Sequence, residues 1–442
     1  MPRCRKKKVA QANRPLGGGQ LRGRWIRLLG GTLLWATVLY YAPRPGKRRS
    51  AHGSGLYPEL AVFGFHDGDS SALVSHVARQ VTLLPSFALA RQELARGGLD
   101  LDIKTVHGIT HHLGHQFLVA RRIDLELYRT GRMPAGTQMA GKRVVAQLDG
   151  GRIRLRKVRC KQKGKGKKKT QKRRYRGEWR EPKLLIVFEI DHQGRKVEKS
   201  RAQIDGTFAG PDEVMELLAM HLHRLGAAAA EVVVFVADGA PWIWDRLPWI
   251  VKRVGLDSNR VAYALDWCHA LHHVGLALAT AGLPGKEHQR VFKKMRKWLK
   301  QGYAGRVVNE LERLGQEHGV SKAMQTPLGY LRKHMKAGHL DYGKMRRRGL
   351  PIGSGGIEST IRRVINLRLK GNGQMWREEN AEGLILLRAA ALTDRWDETV
   401  QQAQQCKDAN GCPDWIWSSP DMPLQLKAKL PIGTPVPQLN AA

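Results

Sequence analysis

The amino-acid sequence predicts an α/β protein built on a mixed sheet, preceded by a mainly helical region and interrupted by an all-helical insertion. Two observations predict the sheet: apolar runs of strand length that end on aspartate, such as 231-EVVVFVAD, and their alternation with amphipathic stretches such as 210-GPDEVMELLAMHLHRLG. A third predicts the insertion, because residues 280–349 show helical periodicity and no strand pattern.

Residues 1–56 are rich in Arg, Lys and Gly and read as a basic N-terminal arm. Within it Leu28 to Ala42 is uncharged and follows arginines, so it imitates a membrane anchor. It spans only about 15 residues against the ~20 a membrane-crossing helix needs. Gly30, Gly31 and Thr32 instead suggest strands around a turn, and no signal-peptide cleavage pattern follows. The expectation is a cytoplasmic, nucleoid-associated protein with no membrane partner.

Residues 57–140 turn helical. The segment 99-LDLDIKTVHGITHHLGHQFLVARRIDLELY has the layout of a helix-turn-helix, with Gly114 at the turn and Arg121 and Arg122 on the second helix. An ordinary helical hairpin fits the same pattern.

Residues 141–279 hold the first part of the predicted core. The strand in 143-RVVAQLDGG leads to a lysine-rich hairpin extension, 157–176, in which Lys167, Lys168, Lys169, Arg173 and Arg174 are candidate DNA-backbone contacts. Strands near 183-KLLIVFEI and 196-KVEKSRAQIDG follow, then a helix, the strand 231-EVVVFVAD, a helix from Trp242 to Gly255, and the strand 260-RVAYALD. Three strands, helix, strand, helix, strand is the order of the ribonuclease H-like fold. After the insertion the core resumes over 350–396, and 397–442 reads as an irregular tail.

Charge narrows the partner. The chain carries a net charge of +38, spread over nearly every segment, and such a field attracts polyanions because neutralised phosphates release counterions. Cys4, Cys160, Cys268, Cys406 and Cys412 include no Cys-x-x-Cys pair, which encodes neither a zinc ribbon nor a disulfide framework.

Three acidic residues are the candidate catalytic and metal-binding set. Asp149 and Asp238 each end an apolar strand before glycine, and Glu358 begins a helix after the glycine-rich 353-GSGG. Singly, an Asp-Gly after a strand is commonly a turn, and a glutamate in a first helical turn commonly answers the helix dipole. Together they match the oxygen ligands that two magnesium ions, or manganese, require for phosphodiester chemistry. Asp266 and His269 form an Asp-x-x-His step suited to a structural or substrate-positioning role, and His272 and His273 supply no second ligand pair for zinc. Arg362, Arg363, Arg368 and Lys370 add candidate DNA contacts. Trp242 is a candidate for stacking on an unpaired base; Trp244 and Trp376 read as packing residues.

The pieces LDGGRIR, WREPKLL, FVADGAPWIW, LDWCHALHH, GLPIGSGGIEST, RLKGNGQMW and NAEGLILLRAA, in this order over Tyr57 to Trp396, resemble the ISKra family of bacterial insertion-sequence transposases, relatives of the Mutator-like group. The resemblance implies a DDE transposase with a ribonuclease H-like domain, acting as a homo-oligomer on double-stranded DNA with terminal inverted repeats and on target DNA. It implies Asp149, Asp238 and Glu358 as metal ligands, and Asp266 with His269 as the group's Asp/Cys-x-x-His signature. In the family a Cys-x-x-Cys often follows paired tyrosines, whereas here Tyr40-Tyr41 precedes Ala42-Pro43-Arg44-Pro45. A basic DNA-binding protein that no longer cuts, and a ribonuclease H-like nuclease independent of repeat ends, are the alternatives.

Overall fold

A computed structural model describes residues 16–43, 57, 59–60, 65, 68–158 and 175–405. Strands β1 (Leu16–Arg27) and β2 (Leu33–Pro43) form an antiparallel hairpin, turning at Gly30 and Gly31, whose φ angles of 88° and 86° favour glycine. The basic arm therefore contributes a strand of its own, paired with the apolar one.

Helices α1 (Ser71–Leu83), α2 (Phe87–Arg96) and α3 (Ile103–Arg129) follow. Helix α3 is continuous, so the predicted helix-turn-helix is not formed. Gly114 sits mid-helix where a Cβ would come within 3.3 Å of the Gly383 backbone, so it serves close helix packing and not a turn. Asp102 caps the helix, accepting from the amides of Lys104 and Thr105.

A five-stranded sheet forms the centre: β3 (Arg143–Gly150), β6 (Lys183–Ile190), β7 (Gln203–Thr207), β8 (Val232–Ala237) and β9 (Val261–Leu265), in the order β7-β6-β3-β8-β9. β6 runs antiparallel to β3 and β7, while β3, β8 and β9 are parallel to one another. Between β3 and β6 the chain makes a separate two-stranded ribbon, β4 (Ile153–Val158) with β5 (Tyr175–Arg180). Helix α4 (Pro211–Leu225) joins β7 to β8; α5 (Pro241–Trp244) and α6 (Leu247–Val254) join β8 to β9, in place of the single helix expected there.

Period-2 alternation gives the sheet two apolar faces. Val145, Ile186, Ile204 and Val234 pack with α1–α3, whereas Val144, Val187, Val233 and Phe235 pack with α4 and α6. Helix α7 (Trp267–Thr280) opens the helical block α8 (Gly285–Gln301), α9 (Ala304–Glu317), α10 (Ser321–Lys336) and α11 (Tyr342–Arg347). The chain then returns in α12 (Gly355–Ile361), a π-turn over Arg362–Asn366, and α13 (Glu378–Leu392). Residues Trp396–Gln405, expected to be irregular, form a further helix, α14, because Trp396, Val400 and Ala403 bury one helical face. No helix among the described residues is long and apolar enough to cross a membrane.

Candidate active site

The parallel strands end in register. Leu148 of β3 pairs with Ala237 of β8, and Ala237 pairs with Leu265 of β9. Asp149, Asp238 and Asp266 are each the next residue, so three aspartates form one row at the carboxyl ends of three adjacent strands. Adjacent strands lie ~4.8 Å apart, which brings neighbouring carboxylates within strong Coulomb range.

The three have different surroundings. Asp266 is 1% exposed and its hydrogen-bonding capacity is engaged: Oδ1 accepts from the Ser354 amide at 2.6 Å, and Oδ2 accepts from the His269 amide and meets His269 Nδ1, both at 2.9 Å. Burial pushes its carboxyl up, but the hydrogen bonds from His269 and Ser354 outweigh it and hold the group at about 2. Asp266 is thus the N-cap of α7 and a fixed anion.

Asp149 is half-buried and makes one local hydrogen bond, accepting from the Gly150 amide at 2.6 Å. Burial raises its carboxyl to about 6; the Gly150 amide opposes the rise and Asp238 adds to it. Asp238 accepts from the Ala240 amide at 3.1 Å. His269 answers this negative field: its hydrogen bond to Asp266, then the charges of Asp266, Asp238 and Asp149, raise its proton affinity against the cost of burial.

Glu358 stands exposed in the first turn of α12, accepting from Ser354 Oγ at 3.0 Å. The start of that helix is pinned to β3 by Gln147, whose Oε1 accepts from the Ile357 amide at 2.8 Å and whose Nε2 donates to the Gly353 carbonyl at 3.0 Å. Glu358, Ser354, Asp266 and His269 therefore lie along one hydrogen-bonded path that ends beside Asp149 and Asp238. Among the described residues no group of three or more His, Cys, Asp or Glu side chains is placed to hold a metal ion. The aspartate pair is brought together, and Glu358 is tied to Ser354.

Two carboxylates nonetheless suit a hard cation. Magnesium takes one or two protein carboxylates and completes its shell with water and phosphate. The proton affinity of Asp149 is raised chiefly by burial, with Asp238 adding to it, and a cation beside the pair would favour the charged form.

The helical block closes over this row through Tyr330 of α10. A Cβ on Gly239 would meet the Tyr330 hydroxyl at 2.2 Å, so the Asp-Gly step leaves room for that ring. Tyr330 stacks on His273, with ring centroids 3.6 Å apart, and burial together with Asp238 pushes its hydroxyl up.

The basic candidates divide. Arg121 is not a DNA contact: it is buried in ion pairs with Asp205, at 2.9 Å, and Glu382. Arg368 is 1% exposed and donates to the Val81 carbonyl at 3.1 Å, while Arg388 donates to the Thr82 carbonyl, so both cap the end of α1. Arg122, Arg362 and Lys370 are exposed, and Arg363 is half-buried. Lys167, Lys168, Lys169, Arg173 and Arg174 lie outside the described residues. Trp242 is half-buried with the Lys183 ammonium 4.5 Å from its ring centre. Sequence reasoning missed Gln147 and Ser354, whose signal would have been two polar residues beside the expected ligands.

No protein-family model, curated protein or solved structure matches this chain.

Proposed function

We propose that the chain is a DDE-type DNA transposase with a ribonuclease H-like core, cleaving and joining DNA at terminal inverted repeats with the help of divalent cations. The observation that carries this reading is the row of aspartates, in which Asp149 and Asp238 follow directly paired residues of adjacent strands and each accepts a backbone amide. The sheet order β7-β6-β3-β8-β9, in which β6 alone runs against the other four strands, supports the ribonuclease H-like assignment.

In this reading Asp149 and Asp238 hold magnesium, with Glu358 as the third carboxylate. Bound magnesium supplies activation of an attacking oxygen and stabilisation of the leaving one. Asp266 anchors His269 and the Ser354 turn, and so positions Glu358. His269, fixed by Asp266 and with its proton affinity raised by that hydrogen bond, stands at the edge of the row, where its protonated form would orient a phosphate by charge. The surrounding cations bind the DNA backbone, consistent with the net charge of +38.

The test is magnesium-dependent cleavage of DNA taken from the flanks of the gene. Asp238→Asn is expected to abolish cleavage while leaving DNA retention intact. Unchanged cleavage overturns the role of the row. Retention without cleavage by the unmodified chain, with or without magnesium, supports a basic binding protein instead.

A further inference from the structure

The ribbon β4–β5 is rooted at the aspartate row but takes no part in it. β4 begins four residues after Asp149, and β5 leads into Glu181, whose charge raises the Asp149 carboxyl. The ribbon's pairing, Arg154 opposite Trp179 and Arg156 opposite Gly177, sorts its side chains onto two faces.

One face carries Arg152, Arg154, Arg156, Tyr175, Gly177 and Trp179. All three arginines are exposed, and Trp179 is 49% exposed. The cations lie diagonally across aromatic or glycine positions. The Arg152 guanidinium is 5.8 Å from the Trp179 ring centre, and Arg156 is 3.4 Å from that of Tyr175. Between them Arg154 crosses Gly177, where a Cβ would come within 2.2 Å of its Nε. The single carboxylate of the two strands, Glu178, faces the other way and pairs with Lys157 at 2.8 Å.

The neighbouring chain holds this face in place. The Trp376 amide donates to the Arg154 carbonyl at 3.0 Å, and the Arg156 amide donates to the Trp376 carbonyl at 2.7 Å. The same segment brings Lys370 to 6.0 Å from the Trp179 ring centre. An exposed indole among four cations does not serve the core, since the buried side of the ribbon is supplied by Ile153 and Leu155.

Alternating cations and ring faces are what unpaired nucleic acid requires: phosphates meet the charges, and a base uncovered by its neighbours meets the ring. A duplex keeps its base faces inside the stack.

We propose that this face of the ribbon is a track for an unpaired strand beside the aspartate row, with Trp179 as the stacking platform for a base and Arg152, Arg154 and Arg156 as phosphate contacts. The proposal rests on the nucleic-acid reading above and adds the strand state and the residues that recognise it.

The experiment is fluorescence anisotropy of the full chain in EDTA, with a labelled thymidine oligonucleotide and with a blunt duplex of equal length. Trp179→Ala is expected to weaken single-strand binding at least about fivefold and duplex binding less than about twofold, and Trp179→Phe to retain most of the affinity. Arg154→Gln should lower the slope of log affinity on log salt by about 0.7 for the single strand. Single-strand affinity unchanged in Trp179→Ala, or lost equally for both ligands, overturns the track while leaving the transposase reading standing. Failure of the unmodified chain to bind either ligand overturns that reading and the track with it.

Discussion

Asp205 on the edge strand β7 and Asp149 on the central strand β3 belong to one sheet, both lose water, and their carboxyls move in opposite directions. Burial pushes Asp205 up, but Arg121 and the buried His221, 2.8 Å from Oδ2, outweigh it and hold the group at about 2. Asp149 has no guanidinium; burial and the neighbouring Asp238 leave it at about 6. A buried carboxylate with its counter-charge supplied is structure, whereas one beside a second carboxylate is poised for a ligand.

Breaking the first cluster has the largest expected effect. Arg121→Met leaves Asp205 and Glu382 buried without a guanidinium and is expected to cost about 3–5 kcal/mol in denaturant unfolding. A loss below about 1 kcal/mol, the range of exposed ion pairs, would erase the contrast.

Acid sharpens it. Asp205 and Asp266 have folded-state values depressed to about 2, so the stability they contribute is present above about pH 4 and lost as pH falls toward 2. Together they are expected to remove about 2–4 kcal/mol over that interval in urea titrations. An acid limb that is flat between pH 4 and 2 contradicts their assignment.

Asp149 carries the opposite sign and the smallest effect. Its folded value is raised, so its ionisation costs stability as pH rises from about 4 through about 6. Asp149→Asn is expected to gain about 1–2 kcal/mol at pH 7, after allowance for partial exposure, and nothing below pH ~4. Magnesium should raise the melting temperature of the unmodified chain and leave that of the variant unmoved. A variant less stable at pH 7 contradicts an uncompensated Asp149.

The elements that sequence made legible are those whose signal is local. Apolar runs ending at Asp149, Asp238 and Asp266 marked three strands and their carboxyl ends, and the long stretch without strand pattern marked the helical block. Gly114 misled because a glycine that opens a turn and one that admits Gly383 from a helix far along the chain look alike in sequence. Arg121 and Arg368 misled because their partners, Asp205, Glu382 and Val81, are remote in sequence. The ladder of Arg152, Arg154 and Arg156 was not singled out by sequence, since its aromatic half arrives on another strand.

β3 is the first strand of the large sheet to be synthesised, yet it lies in the middle, between β6 and β8. Until β8 emerges from the ribosome, one long edge of Val144, Val145 and Ala146 has no partner and invites pairing with other chains. The aspartate row therefore forms only once β8 and β9 have been made, and until β8 pairs with it one edge of β3 stays open to other chains.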